Sequence, residues 1–166
     1  MKRLLLYVHF NKYDHISRHV IYQLEHMRPL FEKLVFISNS KLSRGEVDKL
    51  RERNLIDDFI QRDNKGYDFA AWHDGMEFVG FEELKQYDSV TVMNDTCFGP
   101  LWDMEPIYNQ YELNEEISFW GMTNHQSIKT GNLNINEHLQ SYFISFKKNL
   151  VESSVFQKFW KAVESY

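Results

Sequence analysis

The stretch RLLLYVHF at residues 3–10 is a continuous apolar run that ends in a histidine and an aromatic ring. A run without alternation is typical of a strand that is covered on both faces. Three shorter segments are also predicted to be strands: LVFIS at 34–38, DFIQR at 58–62 and SVTVM at 89–93. Because helical patterns separate them, the strands are expected to pair in parallel, with right-handed crossovers.

The segments between these strands carry apolar residues at the three- and four-residue spacing of a helix face. The predicted helices cover 16–34, interrupted at Pro29, then a charged segment at 45–54, and 68–79. Strands that alternate with helices indicate an α/β fold, and the first ~95 residues are predicted to form a Rossmann-like sheet flanked by helices.

The second part of the chain has a different pattern, which predicts a smaller second half. Strands are expected at 117–121 and 140–146. Ser154 is a candidate N-cap for a final helix. The apolar face of that helix would consist of Val155, Phe156, Phe159, Trp160 and Val163.

Length and composition exclude several classes of protein. The chain has 166 residues, which suits one domain, with halves at about 1–100 and 101–166. Its 19 basic and 24 acidic residues give a net charge of −5, which argues against nucleic acid as a partner. The one cysteine suits a reducing compartment, and no secretory or membrane-spanning segment is evident. A cytoplasmic location is therefore predicted.

Polar and turn-forming residues follow each of the first four predicted strands. Ligands of such sheets bind beyond the carboxyl ends of the strands, so these segments are expected to converge on one rim. The candidate binding residues are His9, Phe10, Asn11, Asn39, Asn64, Gly66, Tyr67, Asp68, Asn94 and Asp95. The alternative is that strand ends are polar and rich in turns whatever their function.

The segment around Gly66 suggests a phosphate site. Gly66 would allow a positive φ or a close approach of the backbone to a ligand, and the next helix would turn its amide N-terminus toward the same point. Asp68 suits a ligand-binding role and a dipole-complementing role equally well. No P-loop or dinucleotide fingerprint is present, because Gly66 lacks partner glycines.

Asp95 directly follows an apolar strand and is a candidate metal ligand. A carboxylate beside Asn94 and Thr96 suits a hard divalent cation that takes further oxygens from a diphosphate. The alternative is that Asn-Asp-Thr only begins a turn before Gly99 and Pro100.

Five ordered motifs resemble the rhamnan synthesis protein F family. They are YVHFN at 7–11, DNKGYDFAAW at 63–72, MNDTCFGP at 93–100, FWGMT at 119–123 and HLQSYF at 138–143. Each is weak by itself, but together they are specific and extend over nearly the whole chain. The resemblance implies a GT-A-type nucleotide-sugar-binding sheet. It also implies an inverting glycosyltransferase that extends rhamnose-containing bacterial cell-surface polysaccharides, with dTDP-L-rhamnose as donor.

The resemblance also implies roles for individual residues. The rim residues would bind the nucleotide sugar, and Asp95 would hold Mg²⁺ or Mn²⁺. However, Asn94-Asp95-Thr96 supplies one carboxylate where GT-A enzymes have Asp-x-Asp, which favours a weak or substrate-bridged ion. Likewise, 72–74 (Trp-His-Asp) departs from the Arg-Asn of the pattern in inverting enzymes.

The second half would supply the catalytic base and the acceptor site. The candidate bases are Glu137 and His138, and a third possibility is that neither acts. The expected acceptor-binding residues are Trp120, Gly121, Thr123 and Gln140. Trp120 could stack on a sugar face, and the alternative is a buried strand aromatic.

Two other functions are consistent with the same residues. One is a non-catalytic nucleotide- or glycan-binding module with a glycosyltransferase fold, and the other is an unrelated doubly wound domain that senses or scaffolds. For an enzyme, the acceptor would be a polysaccharide or lipid-linked glycan. Association with partner enzymes or with the inner face of the membrane is consistent with that acceptor. The chain looks short for an independent transferase, so either a domain of a larger protein or an incomplete catalytic unit is expected.

Overall fold

The computed structural model describes residues 1–163. The strands of its main sheet are β1 (Arg3–His9), β2 (Lys33–Ser38), β3 (Asp58–Gln61), β4 (Ser89–Asn94), β5 (Phe119–Gly121) and β10 (Phe143–Lys147). Four short strands form two small ladders: β6 (Asn124–His125) with β9 (His138–Leu139), and β7 (Ile128–Thr130) with β8 (Leu133–Ile135). The helices are α1 (Arg18–Met27), α2 (Arg44–Glu52), α3 (Tyr67–Val79), α4 (Phe81–Leu84), α5 (Glu105–Leu113), α6 (Lys148–Val151) and α7 (Ser154–Lys161).

The main sheet has the order β3-β2-β1-β4-β10-β5. The first four strands along the chain are parallel, with Leu6 of β1 opposite Val35 of β2 and Val92 of β4. The predicted α/β class and the parallel pairing of these strands are therefore confirmed. Their carboxyl ends lie at the same edge of the sheet.

Apolar side chains cover both faces of the sheet, which explains the continuous apolar runs in the sequence. On one face, Leu5 and Tyr7 of β1 belong to a core that includes side chains of α1, α2 and α5. On the other face, Leu4, Leu6 and Val8 belong to a core that includes side chains of α3 and α7. Because β1 lies between β2 and β4, all seven of its residues are buried.

The structure corrects the predicted end of the first helical segment. Helix α1 covers Arg18–Met27, and a 3₁₀ turn at Arg28–Leu30 follows it, with Pro29 near its start. The interruption expected at Pro29 is thus confirmed. The prediction of helix up to residue 34 is wrong, because β2 already begins at Lys33.

The second half differs more from the prediction. The strand expected at 140–146 is β10, which begins only at Phe143 and pairs antiparallel between β4 and β5. Helix α5 was not predicted. Its N-terminal turn carries Pro106, and its buried Tyr108 packs edge-on against Trp120, with ring centroids 5.0 Å apart.

The last helix also departs from its predicted pattern. Ser153 rather than Ser154 caps α7, and its hydroxyl accepts a hydrogen bond from the Phe156 amide at 3.2 Å. Phe156 and Trp160 are buried, but Val155 and Phe159 are 69% and 54% exposed. The apolar face of α7 is therefore narrower than its sequence suggests.

A buried ion pair joins the start of the sheet to α5. Arg3 donates from Nε and Nη2 to the two carboxylate oxygens of Glu112 at 2.8 and 2.6 Å, and Ser89 donates to the same carboxylate at 2.9 Å. Hydrogen bonds to Glu112 raise the pKa of Arg3.

Among residues 1–163, no helix combines the length and the apolar character that crossing a bilayer requires.

Candidate functional site

A cleft of about 410 Å³ opens at the carboxyl ends of β1 to β4. Residues that follow each of these four strands line it, so the predicted convergence on one rim is confirmed. The lining residues are Phe10, Asn11, Ser17, His19, Asn39, Asn64, Tyr67, Asp68, Asp95 and Thr96. The cleft thus combines amides, carboxylates, hydroxyls and two exposed aromatic rings.

Seven of the ten predicted donor-site residues line the cleft directly, and the other three are not among its lining residues. His9, Gly66 and Asn94 are these three. The sequence did not single out Ser17 or His19 as cleft residues, because both belong to the segment that begins α1 rather than to a strand end.

Asp95 lies between the ends of β1 and β4. Its Oδ2 accepts a hydrogen bond from the backbone amide of Phe10 at 3.1 Å, and its carbonyl oxygen lies 3.0 Å from Nε2 of His19. Burial raises the pKa of the Asp95 carboxyl to about 6, although the Phe10 amide acts in the opposite direction. Burial therefore disfavours the ionised form of this carboxylate, and a bound cation would offset that cost.

The start of α3 forms the opposite wall of the cleft. Gly66 has φ +67°, as the sequence predicted, and Tyr67 has φ +51°, which is uncommon for a residue with a side chain. This backbone turns the helix N-terminus toward the cleft and leaves the Tyr67 side chain 78% exposed. Asp68 accepts a hydrogen bond from Nδ2 of Asn94 at 2.6 Å, so its carboxylate links α3 to β4.

Arg62 organises the polar residues on the β2 and β3 side, and the sequence did not single it out. Its guanidinium donates to Oδ2 of Asp74 at 2.6 Å, to Oδ1 of Asn39 at 2.7 Å and to the carbonyl of Lys65 at 2.9 Å. Arg62 thus holds the Asn39 amide and the turn before α3. An arginine directly after a short strand was the available signal.

His9 is fully buried at the end of β1, where Nδ1 lies 3.1 Å from the hydroxyl of Ser38. Burial lowers the pKa of His9 to about 4, so the imidazole is neutral near pH 7. Its ring stacks on Phe36 with centroids 5.4 Å apart. His9 therefore supports the floor of the cleft and does not face it.

The structure gives Trp120 the alternative role, that of a buried strand aromatic. It is 4% exposed and stacks on Tyr111 with ring centroids 4.8 Å apart. No face of the indole is available to a sugar, so the expected stacking platform is wrong. Gly121 is also a packing residue, because a Cβ there would lie 3.0 Å from the carbonyl oxygen of Phe143.

Thr123 and Gln140 bind each other on the surface of the second half. The Thr123 hydroxyl donates to the side-chain Oε1 of Gln140 at 2.5 Å, and the backbone amide of Gln140 donates to the backbone carbonyl of Thr123 at 3.0 Å. Thr123 also lines an apolar groove of about 460 Å³ beside the end of β4. Their predicted part in acceptor binding stays a prediction.

The two candidate bases lie on or next to the small ladder of β6 and β9. Glu137 accepts a hydrogen bond from Nδ2 of Asn124. His138 stacks on His125 with ring centroids 5.0 Å apart, and its Nδ1 donates to the Asn136 carbonyl at 2.8 Å. Both candidates are exposed, and neither lines the cleft. Their catalytic role stays a prediction.

The metal-binding role predicted for Asp95 stays a prediction. Within residues 1–163, no three or more His, Cys, Asp or Glu side chains form a group that could hold a metal ion. A cation would therefore depend on Asp95, with its other ligands from a diphosphate and water, an arrangement common for Mg²⁺. Asp68 adds a second negative charge close enough to raise the Asp95 pKa.

Solved structures of low sequence identity share this fold. HddC from Yersinia pseudotuberculosis superposes with a TM-score of 0.54 at 10% identity, over 99% of this chain and 88% of HddC. A 4-diphosphocytidyl-2C-methyl-D-erythritol synthase superposes with a TM-score of 0.56 at 11% identity, over 99% of this chain and 85% of the synthase. At this identity the likeness shows the fold only.

Sequence comparisons identify the family. The uncharacterized protein y4gN of Sinorhizobium fredii is 31% identical over 146 residues, which are 87% of this chain and 36% of y4gN. The chain spans about a third of the length of the curated relatives it matches. The sequence profile of rhamnan synthesis protein F matches residues 34–166. This match covers most of the chain and confirms the resemblance of its motifs: the protein belongs to the rhamnan synthesis protein F family.

Proposed function

We propose that this chain is the nucleotide-sugar-binding part of an inverting glycosyltransferase. It would use dTDP-L-rhamnose to extend a bacterial cell-surface polysaccharide. The observation that carries the proposal is the cleft at the ends of four strands, where Asp95, Asp68 and a helix N-terminus surround a space of about 410 Å³. Membership in the family supports a role in polysaccharide synthesis.

The cleft offers groups suited to each part of a nucleoside diphosphate sugar. The exposed rings of Phe10 and Tyr67 can stack on a nucleobase. Amides of Asn39 and Asn64 can bond to ribose or sugar hydroxyls. The first amides of α3 can bind phosphate oxygens, because they point out of a helix N-terminus.

A divalent cation on Asp95 would neutralise the diphosphate while it leaves. In the transfer, the bond between the anomeric carbon and the diphosphate oxygen breaks, and dTDP departs with the electron pair. The acceptor oxygen bonds to the same carbon from the opposite face, and a general base takes its proton. Glu137 and His138 remain the candidates for that base.

Isothermal titration calorimetry with dTDP and dTDP-L-rhamnose, with and without Mg²⁺, tests donor binding. We expect both to bind, and Mg²⁺ to increase the affinity severalfold. Asp95→Asn should remove the Mg²⁺ effect, because the amide is a poorer ligand for a hard cation. The matched control Asp63→Asn changes an exposed carboxylate outside the cleft lining and should keep it. The proposal would be contradicted if neither dTDP nor dTDP-L-rhamnose bound, whether or not Mg²⁺ was present.

A non-catalytic nucleotide- or glycan-binding module is the second candidate. It is favoured by the position of Glu137 and His138, since neither lines the cleft. A transfer assay on an oligosaccharide acceptor separates the two functions. Transfer that is lost in a folded Asp95→Ala variant would exclude the binding-only function. Donor binding without transfer to any acceptor would favour it.

A further inference from the structure

The loop after β4, residues 96–104, lies against helix α1 and is fixed there by hydrogen bonds from the helix. Nε2 of Gln23 donates to the Cys97 carbonyl at 2.7 Å, and the hydroxyl of Tyr22 donates to the Pro100 carbonyl at 2.9 Å. These contacts come from adjacent helix residues and hold two separate points of the loop. The loop therefore has a defined position along the helix.

This fixed loop exposes large apolar side chains. Phe98 is 80% exposed and Trp102 is 65% exposed. Each lies near a ring from α1: Phe98 contacts His19 with centroids 4.7 Å apart, and Trp102 lines a pocket with Tyr22 and His26. Phe98, Leu101 and Trp102 are exposed within five residues of one loop, and a contiguous exposed apolar patch of this kind is typical of an interaction or ligand-binding surface.

The cleft at the ends of β1 to β4, which we call the donor cleft, and two further cavities lie along this surface. One of the two is the apolar groove of about 460 Å³, which Phe98 and Trp102 also line. His19 lines the donor cleft and contacts Phe98, so the exposed rings begin at the cleft wall. The other cavity, of about 410 Å³, includes Trp102 and Asp103 from the loop. His19, Tyr22 and His26 are three and four residues apart, so they share one face of α1 and connect the donor cleft to this cavity.

The polar groups in the cavity that includes Trp102 and Asp103 suit sugar hydroxyls. His26 donates from Nδ1 to the Tyr22 carbonyl at 2.8 Å, which leaves Nε2 available to bond to a hydroxyl. Asp103 is exposed and accepts from the Glu105 amide through Oδ1 at 3.0 Å. Its second oxygen can accept from a hydroxyl. Aromatic rings pack on the C–H face of a sugar, and an imidazole or a carboxylate bonds to its hydroxyls. This cavity contains groups of both kinds.

We propose that this surface binds the sugar residues of the acceptor glycan beside the donor cleft. We call it the aromatic track and define it by His19, Tyr22, His26, Phe98, Trp102 and Asp103. The inference rests on the proposed glycosyltransferase function, and it assigns the acceptor to the loop after β4 in place of the buried Trp120. A neutral glycan is favoured over an anionic lipid surface, because the cavity around Trp102 contains a carboxylate and no lysine or arginine.

Trp102 provides a direct optical test. Of the four tryptophans, Trp72, Trp120 and Trp160 are at most 4% exposed, so acrylamide quenching of the fluorescence reports chiefly on Trp102. Rhamnose-containing oligosaccharides of about four to six sugars should protect this fluorescence from quenching. Saturating dTDP should not displace them from Trp102, because Trp102 is not among the residues that line the cleft.

Calorimetry with the same oligosaccharides tests the residue assignment. Trp102→Ala should weaken oligosaccharide binding roughly tenfold and leave dTDP affinity unchanged. The matched control Phe159→Ala removes another exposed ring, on α7, and should change neither affinity. Unchanged dTDP affinity also verifies that the variant is folded.

Three results would overturn the aromatic track while dTDP still binds, and each leaves the proposed function standing. One is that no oligosaccharide protects Trp102 or binds. Another is that oligosaccharides bind equally to Trp102→Ala. The third is that vesicles of phosphatidylglycerol and phosphatidylethanolamine protect Trp102 and oligosaccharides do not. Absence of dTDP binding would instead count against the donor cleft itself.

Discussion

The side-chain amide of Asn94 donates a 2.6 Å hydrogen bond to Oδ2 of Asp68, and this contact joins the end of β4 to the first turn of α3. Oδ1 of the same Asn94 accepts from the Thr96 amide at 3.1 Å. One buried amide thus sets the position of the Asp68 carboxylate and the start of the loop that carries Asp95. Asn94 therefore helps to position both acidic residues that line the cleft, Asp68 and Asp95.

Replacing Asn94 by aspartate should destabilise the fold near neutral pH. Two carboxylates would then lie at hydrogen-bonding distance, and the penalty should be about 1–3 kcal/mol in the free energy of unfolding. The penalty should shrink as the pH falls toward 4, because protonation restores a donor. Urea denaturation at pH 7.5 and pH 4 measures both values.

The control for this change is Asn132→Asp, which places the new carboxylate in an exposed turn. We expect a change of less than about 0.5 kcal/mol there. Equal effects of the two substitutions would show that Asn94 does not position Asp68.

Asp95→Asn should stabilise the protein at neutral pH. The folded-state pKa of Asp95 is raised to about 6, above the ordinary value of 3.8. The stability that this carboxyl contributes is therefore fully present below pH ~4 and is lost as the pH rises through about 6. Without metal, the variant should be more stable than the native protein by on the order of 1 kcal/mol at pH 7.5 and equally stable at pH 4.

Thermal unfolding at the two pH values, with EDTA present, measures this difference. Asp63→Asn is the control at an exposed position and should show no such pH-dependent gain. A variant that is less stable than the native protein at pH 7.5 would refute the desolvation of Asp95. The expected result, together with loss of the Mg²⁺ effect, would identify a carboxylate retained for binding at the expense of stability.

Glu112→Gln should be strongly destabilising, because it leaves the Arg3 guanidinium buried without an opposite charge. The side chains of Arg3 and Glu112 are 7% and 2% exposed. Breaking such a pair costs about 3–5 kcal/mol. Chemical denaturation at pH 7.5 gives the measured value.

The exposed pair of Lys2 and Glu32 provides the comparison. Its side chains are 39% and 58% exposed, and their charged atoms are 3.6 Å apart. Glu32→Gln should cost less than ~1 kcal/mol, since water screens the pair. A Glu112→Gln cost in the same small range would mean that Arg3 reaches solvent in solution.

Gly66→Ala should lower stability by about 1 kcal/mol, because φ at this position is +67° and a Cβ disfavours that conformation. It should also weaken dTDP binding, since the turn positions the first amides of α3. Gly45→Ala, in α2, is the matched change in ordinary helical backbone, and it should stabilise the protein by ~0.5–1 kcal/mol. Thermal unfolding and calorimetry measure these effects, and opposite signs for the two glycines are the decisive outcome.

Much of the first half could be predicted from local patterns. The uninterrupted apolar run of β1 indicates burial on both faces, and the structure places it between β2 and β4. The spacing of apolar residues in α3 and the turn at Gly66 are local properties of the backbone. Convergence of the strand ends follows from parallel pairing, so most of the residues that line the cleft could also be predicted from the sequence.

The second half could not be predicted in the same way, because its arrangement depends on contacts distant in sequence. Strand β10 pairs with β4, about fifty residues earlier in the chain. Trp120 has the aromatic side chain that a sugar-binding platform needs, but residues of α5 cover it. The role of Arg62 is evident only in the tertiary structure, where it donates hydrogen bonds to Asn39, Asp74 and Lys65.

The sequence by itself determined the α/β class, the family and the set of polar segments at the ends of the parallel strands. These depend on side-chain periodicity and local motifs, which the chain carries without reference to its partners in space. Tertiary structure decided which side chains are accessible. It buried Trp120, desolvated Asp95 and left Phe98 and Trp102 exposed beside α1, because burial depends on packing between elements distant in sequence.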